Sequence, residues 1–144
     1  MNIKLVEDLE QLLTEDVFSI YQKCMYNSTY EVYKAKIMEY VGDKNTKINI
    51  CFLNNEIIGI VVLKLDGSQS AEVMGIAVSD RYQKLGVGSF IIKESAKKMN
   101  LCQISAETDD DAVGFYKKLG FDITKEIKEY ENGRVVRYYC LLVL

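Results

Sequence analysis

The sequence predicts an α+β domain built around one mixed, mostly antiparallel β-sheet, and three observations predict it. Three β-rich runs between residues 47 and 78 are separated only by short polar turns, which is typical of an antiparallel meander. A helical pattern then joins the third run to a β-rich run at 101–107, so these two strands should be parallel neighbours. The last two β-rich runs flank Asn132-Gly133, a strong hairpin turn signal.

The chain order of the elements follows from hydrophobic periodicity and turn residues. The seven predicted strands are 2–6, 47–53, 56–65, 71–78, 101–107, 122–130 and 135–144. Four helices are predicted, of which the first two span 8–25 and the segment from Ser28 or Thr29 to Gly42. The third spans 88–99, and the fourth opens at the acidic run 108–111 and ends at Gly120 as a left-handed cap.

Composition predicts a single domain, 1–144, and excludes several classes of protein. The chain is 49% hydrophobic, with 18 basic and 21 acidic side chains and a net charge of −3, so we expect no nucleic-acid partner. No apolar run approaches the roughly 20 residues of a membrane span, and the N-terminus lacks a signal-peptide layout. We therefore expect no membrane contact and a cytoplasmic location.

The chain contains no histidine, which excludes Ser-His and Cys-His nucleophilic mechanisms within one chain. The four cysteines are scattered without a C-x-x-C pair, so we expect no metal site. Cys51, Cys102 and Cys140 lie in apolar runs and are expected to be reduced core thiols.

Two closely spaced glycines, Gly86 and Gly88, stand between a predicted strand and a predicted helix. A helix N-terminus carries free N–H groups and a positive dipole end, and glycines let an anion approach them, with charge added by Lys84 and Arg81. The alternative is a tight turn that needs glycine only for its backbone geometry. The run matches neither a P-loop nor a G-x-G-x-x-G fingerprint, because Ile91 occupies the third glycine position.

Two motifs give the chain a family resemblance. The run Q-K-L-G-V-G at 83–88 fits the pattern Q/R-x-x-G-x-G/A, and D-x-x-A-V-G-F-Y-K-K-L-G-F at 109–121 is similar to N-x-x-A-x-x-F-Y-x-K-x-G-F. Both motifs, in this order of elements, resemble the GCN5-related N-acetyltransferase (GNAT) superfamily. The resemblance implies an α/β/α layered sheet of about seven strands and four helices, with its central parallel pair splayed apart.

The resemblance also implies the donor, acetyl-CoA, with CoA as product and no metal. Ile76, Ala77 and Val78 would pair through their main chain with the pantetheine arm, and Gly75 fits either a bulge at the start of the gap or close packing under a helix. The residues whose main-chain amides would hold the diphosphate are Gln83, Lys84, Leu85, Gly86, Val87, Gly88 and Ser89.

Three further residues acquire roles by the same resemblance. Tyr116 matches a tyrosine that lies near the CoA sulfur and donates to the thiolate, with helix–sheet packing as its alternative role. Glu72 is the candidate base, and strand alternation would put it on the face of Met74, Ile76 and Val78; its alternative is a solvated strand end. Asp109 replaces a CoA-contacting asparagine, and a helix cap is the alternative for it.

We therefore expect acetyl transfer to a primary amine of a small molecule or protein through a tetrahedral intermediate. By the resemblance, main-chain amides near residues 75–78 would polarise the thioester carbonyl. The alternative is a catalytically silent CoA-binding sensor; a toxin that acetylates charged tRNA is disfavoured by the acidic balance. The apolar terminal strand suggests a homodimer. Tyrosines that could line an acceptor pocket are Tyr21, Tyr26, Tyr30, Tyr33, Tyr40, Tyr130, Tyr138 and Tyr139. Glutamates that could attract the amine are Glu31, Glu39, Glu129 and Glu131.

Overall fold

The computed structural model describes residues 2–25 and 28–144; Tyr26 lies outside the described residues. The strands are β1 (Ile3–Val6), β2 (Thr46–Leu53), β3 (Glu56–Leu65), β4 (Ser70–Val78), β5 (Gln103–Thr108), β6 (Asp122–Tyr130) and β7 (Gly133–Val143). The helices are α1 (Leu9–Leu12), α2 (Glu15–Tyr21), α3 (Tyr30–Gly42), α4 (Val87–Lys98) and α5 (Val113–Lys118). Short 3₁₀ turns, Gln22–Cys24 and Asp80–Tyr82, follow α2 and β4. Among the helices of these two described ranges, none has the length and apolarity of a membrane span.

All seven predicted strands form one mixed sheet in the order β1-β2-β3-β4-β5-β7-β6, and the predicted parallel pair is β4 with β5. Their pairing covers only Ser70 with Gln103, Ala71 with Ile104 and Glu72 with Ser105. Both strands continue beyond that point, β4 to Val78 and β5 to Thr108. The two strands therefore diverge at their carboxyl ends and leave a gap in the middle of the sheet, which confirms the expected splay.

The helices cover both faces of the sheet. One hydrophobic core lies between the sheet and α1–α3, and it includes Val17, Tyr33 and Ile37, each fully buried. The other core lies between the sheet and α4–α5, and it includes Ile91 and Ile92. The predicted α/β/α layering is confirmed, and the gap between β4 and β5 lies between the two helical layers.

The first predicted helix, 8–25, is interrupted, so the described residues form five α-helices where four were predicted. Asp8 is the N-cap of α1, and Thr14 is the N-cap of α2. The Thr14 hydroxyl accepts from the Val17 amide at 3.4 Å, in α2, and donates to the Gln11 carbonyl at 2.7 Å, in α1. A side chain that bonds backbone groups on both sides competes with the continuous helical pattern. The apolar periodicity persists across the break, which is why it predicted one helix.

A β-bulge interrupts the pairing of β3 with β4 just before the gap. Val62 pairs with Gly75 and Leu63 pairs with Val73, so Met74 is the extra residue on β4. A bulge adds one residue to one strand and bends that strand locally. One of the two expectations for Gly75 was a bulge, and the structure has this bulge at the neighbouring residue, Met74.

The bulge reverses the alternation of side chains along β4. Val73 packs in the core under α4, whereas Ala77 packs in the core under α1–α3, although both numbers are odd. Ile76 and Val78 consequently lie on the α4 face, and Glu72, next to Val73, lies on the α1–α3 face. The prediction that Glu72 shares a face with Ile76 and Val78 is therefore wrong, because an extra residue shifts the period of two.

The four cysteines are free, and two of the three predicted core thiols are buried: Cys51 and Cys140. Burial raises the pKa of the Cys51 thiol to about 11. Cys102 is exposed, because β5 begins only at Gln103 and Cys102 lies in the bend before it. The prediction of a core thiol was wrong for Cys102.

Glu107, near the end of β5, ties this strand to the terminal hairpin. Its Oε1 accepts from Lys128 Nζ at 2.9 Å and from Arg137 Nε at 3.3 Å, and these bonds hold the pKa of Glu107 below its usual value. Because the pKa of Glu107 is lower in the folded state than in the unfolded state, the ion pairs stabilise the protein at pH values above the unfolded pKa of about 4.3. This stabilisation is lost as the pH falls through the folded pKa.

We therefore expect Glu107→Gln to lower the melting temperature by roughly 1–3 °C at pH 7, as for an exposed ion-pair network, and by progressively less as the pH falls below about 4. Thermal denaturation of both proteins between pH 3 and pH 8 measures this. Glu129→Gln is the control, because Glu129 pairs at 3.1 Å with Arg134 where both side chains are about 70% exposed. A difference that persists unchanged at pH 3 would contradict the electrostatic origin.

Candidate active site

The open edge of β4 faces the gap with two main-chain carbonyls. Val78 O accepts hydrogen bonds from Lys23 Nζ at 3.1 Å and Gln83 Nε2 at 3.2 Å. Ile76 O accepts from the Cys24 thiol at 3.0 Å. These partners are side chains rather than a neighbouring strand, so a ligand that pairs along this edge would exchange them for its own polar groups.

The segment 83–89 continues from this edge into the first turn of α4. Lys84 and Gly86 have left-handed backbone angles, with φ of +64° and +81°, and Gly86 is the N-cap of the helix. Within the described ranges, the main-chain amides of 83–89 donate no hydrogen bond to the protein. Consecutive free amides at a helix N-terminus form an anion-binding concavity.

The two glycines of this segment are required for different reasons. A Cβ on Gly86 would meet nothing within 4 Å, and only the positive φ requires glycine there. A Cβ on Gly88 would lie 2.5 Å from Cε1 of Phe115, so Gly88 lets α5 pack against the start of α4. The side chain of Val87 is buried and anchors the helix, whereas Leu85 is 67% exposed.

Of the basic side chains near the loop, Lys84 is exposed and forms no ion pair with any described residue. Arg81, by contrast, pairs with Glu56 at 3.2 Å and lies over the Tyr82 ring. The side chain of Gln83 turns back to the end of β4 rather than into the loop. Lys84 is therefore the cation of this segment that is left to meet an anion.

Tyr116, on α5, is buried in the core between the sheet and α4–α5. It is 6% exposed, and its ring packs edge-on against Phe115 and Phe121 at centroid distances of 5.0 and 5.2 Å. Burial raises the pKa of Tyr116, and the nearby Cys140 and Cys24 thiols add to the effect. The phenol thus stays protonated at neutral pH.

The side chain of Asp109 caps the turn before α5. Its Oδ1 accepts from the amides of Asp111 and Ala112, both at 3.1 Å. Asp109 therefore caps the turn that leads into α5, whereas the N-cap of the helix itself is Ala112. A contact of Asp109 with CoA stays a prediction.

Gly75 makes the closest approach on the α1–α3 face of β4, since a Cβ there would collide with the Tyr21 phenol. Tyr21 is 3% exposed, and burial raises its pKa, with Tyr40 and Cys24 contributing. Both expectations for Gly75, the bulge and the packing under a helix, therefore hold together. Sequence reasoning had not assigned Lys23 and Cys24 to this site, and they are 55 and 52 residues away from their partners on β4.

Two depressions border these elements. One, of about 470 Å³, is lined by Tyr21, Cys24, Met25, Val32, Ala35, Lys36, Glu39, Tyr40 and Met74. It opens beside the β4 bulge on the face of Glu72, although Glu72 does not line it. The other, of about 650 Å³, lies at the β2–β3 turn and is lined by none of the predicted site residues. Only the first depression, which we call the α3–β4 pocket, adjoins the gap.

The fold and this geometry define an α/β/α protein with a splayed central strand pair and a loop of unbonded main-chain amides beside the gap. A family model described as "Acetyltransferase (GNAT) family" matches residues 6–121. The chain belongs to this acetyltransferase family.

Individual relatives and solved structures agree with that membership. The uncharacterized N-acetyltransferase CgeE of Bacillus subtilis is 28% identical over 138 residues, which is 81% of this chain and 49% of CgeE. The chain spans about half the length of the first curated relatives it matches.

Two solved structures share the fold. An aminoglycoside 6'-N-acetyltransferase complexed with coenzyme A has a TM-score of 0.78 at 12% identity, covering 99% of this chain and 97% of that one. A Bacillus subtilis acetyltransferase in complex with CoA has a TM-score of 0.70 at 22% identity, covering 99% and 98%.

Proposed function

We propose that the protein moves an acetyl group from acetyl-CoA to a primary amine of a small molecule or peptide, by direct transfer within the β4–β5 gap. The observation that carries the proposal is the run of unbonded amides at 83–89 beside the open edge of β4. Together they offer a site for a diphosphate and a continuous edge for an extended arm.

The donor is held by the main chain. The free amides at residues 83–89 and the Lys84 ammonium bind the diphosphate, because charge-assisted hydrogen bonds favour a doubly charged group there. The arm pairs with the polar groups of Ile76 and Val78, displacing the Cys24, Lys23 and Gln83 side chains. Buried Ala77 holds the strand in place from the α1–α3 side.

The Tyr116 phenol acts on the leaving sulfur. A phenol with a pKa above about 10 does not give its proton fully to a thiolate, whose conjugate acid has a pKa of about 8.5. It therefore stabilises the thiolate by donating a hydrogen bond rather than by transferring a proton. Main-chain amides near the Met74 bulge polarise the thioester carbonyl in the same step.

The incoming amine reaches the gap through the α3–β4 pocket, and Glu72 accepts its proton through water. Glu72 lies two residues before Met74 on the same face of β4, and Met74 lines that pocket.

The test of the proposed function is release of CoA thiol on addition of an amine panel to protein and acetyl-CoA. Amine-dependent release with matching N-acetyl product, identified by mass spectrometry, is the expected result. Binding of CoA without release on any amine would contradict the proposal and support a sensor.

A second prediction concerns where the arm lies. Cys24 and Cys102 are both exposed, but only Cys24 contacts the edge of β4 through Ile76 O. We expect saturating acetyl-CoA, whose sulfur is blocked and does not consume the reagent, to slow alkylation of Cys24 at least tenfold and to leave Cys102 unaffected. Peptide mass spectrometry after iodoacetamide at pH 9 measures both rates, since partial desolvation raises the pKa of the Cys24 thiol. Equal protection of both thiols, or of neither, would contradict the assigned path.

A further inference from the structure

We propose that the acceptor is a monoamine whose body is apolar, and that the α3–β4 pocket selects it. This inference rests on the proposed acetyl transfer and adds the chemical class of the acceptor. Such an acceptor has one amino group attached to an aliphatic or aromatic group. Either a small amine or the first residue of a peptide could supply it.

The pocket adjoins the reaction site through residues that belong to both. Met74 is the bulge residue of β4, and the Tyr21 phenol lies against Gly75. Cys24, on the same side, contacts Ile76 O at 3.0 Å. An amine that enters between Tyr21 and Met74 therefore arrives at the start of the gap, with the rest of the molecule directed toward α3.

The outer part of the pocket is apolar. Val32 on α3 is 45% exposed and Met74 is 40% exposed, and both line this one concavity with Met25 and Ala35. Apolar side chains left open to solvent around a concave site mark a surface that binds an apolar group. A volume of about 470 Å³ is within the range of small-ligand sites.

The charges of the pocket compensate each other. Glu39 is the carboxylate of the lining, and Lys36 lies 3.7 Å from it while its Nζ stands 5.0 Å from the Tyr40 ring centroid. Within the described lining, a second or third ammonium on the acceptor would therefore face Lys36 and apolar side chains. No carboxylate of this lining would be left to pair with it. Placing an unpaired charge in such surroundings is costly, so polycations are disfavoured.

Matched acceptors isolate this property. Hexylamine and 1,5-diaminopentane have the same number of non-hydrogen atoms, and the second replaces the terminal methyl group of the first by an ammonium. We expect kcat/KM for hexylamine to exceed that for the diamine at least tenfold, and 2-phenylethylamine to exceed spermidine and an aminoglycoside similarly. Two peptides, one beginning with leucine and one with lysine, tell whether the acceptor is a peptide. A higher kcat/KM for the leucine peptide than for the lysine peptide and for hexylamine would identify a peptide N-terminus as the source.

Val32→Asp, with Val32→Thr as its control, tests whether this pocket is responsible. Position 32 lies in the first turn of α3, where an acidic residue suits the helix dipole, so the variant should fold. We expect KM for hexylamine to rise at least tenfold in Val32→Asp and less than threefold in Val32→Thr, with KM for acetyl-CoA unchanged in both.

The outcomes separate this inference from the function on which it rests. Efficient transfer to the diamine, spermidine or the aminoglycoside in preference to the monoamines would overturn the inference alone. An unchanged hexylamine KM in Val32→Asp would likewise overturn the assignment of the pocket. Transfer to none of the amines, with CoA still bound, would overturn the proposed function and the inference with it.

Discussion

Gly86→Asp is expected to weaken CoA binding about thirtyfold or more relative to Gly86→Asn. Position 86 has a φ of +81°, which asparagine and aspartate tolerate best among non-glycine residues, and a Cβ there meets nothing within 4 Å. The two variants have the same shape, but the aspartate carboxylate faces the proposed diphosphate. Like charges about 5 Å apart repel by about 3 kcal/mol at an effective dielectric constant of about 20.

Calorimetric titration of CoA into both variants and the wild-type protein measures this difference. Because Gly86 is the N-cap of α4, an acidic side chain there should not weaken the helix, and melting curves provide the control for folding. The gap between the two variants should shrink in high salt as the repulsion is screened. Equal affinities in Gly86→Asp and Gly86→Asn would mean that the diphosphate binds elsewhere.

Tyr116→Phe is expected to lower kcat about 10- to 100-fold while leaving the affinity for CoA within threefold. The ring that packs between Phe115 and Phe121 is retained, and the hydroxyl forms no hydrogen bond within the described part of the chain. The loss therefore falls on the leaving sulfur, where a hydrogen-bond donor acts mainly in the transition state.

Steady-state kinetics with the best amine of the panel measure the effect, and Tyr130→Phe is the matched control. Tyr130 is 59% exposed at the tip of the terminal hairpin and does not line the α3–β4 pocket as the sequence allowed, so its hydroxyl should not affect turnover. If Tyr116→Phe kept full activity, Tyr116 would have only the packing role that was its alternative.

The fold could be predicted in large part because its signals are local. Turn residues delimit the strands, Thr29 caps α3 by bonding the Val32 amide, and the strand–helix–strand crossover implies the parallel pair. The break at Thr14 could not be predicted, because it depends on which backbone groups one side chain bonds. A bulge was one of two expectations for Gly75, but the extra residue, Met74, is decided by the register with β3. The bulge then placed Glu72 on the opposite face from the one expected.

The candidate site divides in the same way. The loop at 83–89 was predicted from its two glycines, since a positive φ and a helix start leave a direct trace in the sequence. The contacts of Lys23 and Cys24 with β4 leave no such trace, because more than fifty residues separate the partners. The α3–β4 pocket is likewise formed by α2, α3 and β4 together, so its apolar character follows only from the assembled fold.

Dimerisation through the final hairpin stays a prediction. The apolar sequence of β7 that suggested it has a partial explanation in the fold, because β7 lies inside the sheet between β5 and β6. Cys140 on this strand is fully buried. The cytoplasmic location and the absence of a nucleic-acid partner are equally predictions from composition.

The most direct test of the central claim is an amide NMR titration of the assigned protein with CoA and, separately, with pantetheine, which lacks the diphosphate. If the main chain at 83–89 holds the diphosphate, CoA should shift the amide protons of this segment downfield, Gly86 and Gly88 included, and pantetheine should leave them unshifted. Perturbation of these amides by pantetheine to the same extent, or no perturbation of them by saturating CoA, would contradict the account.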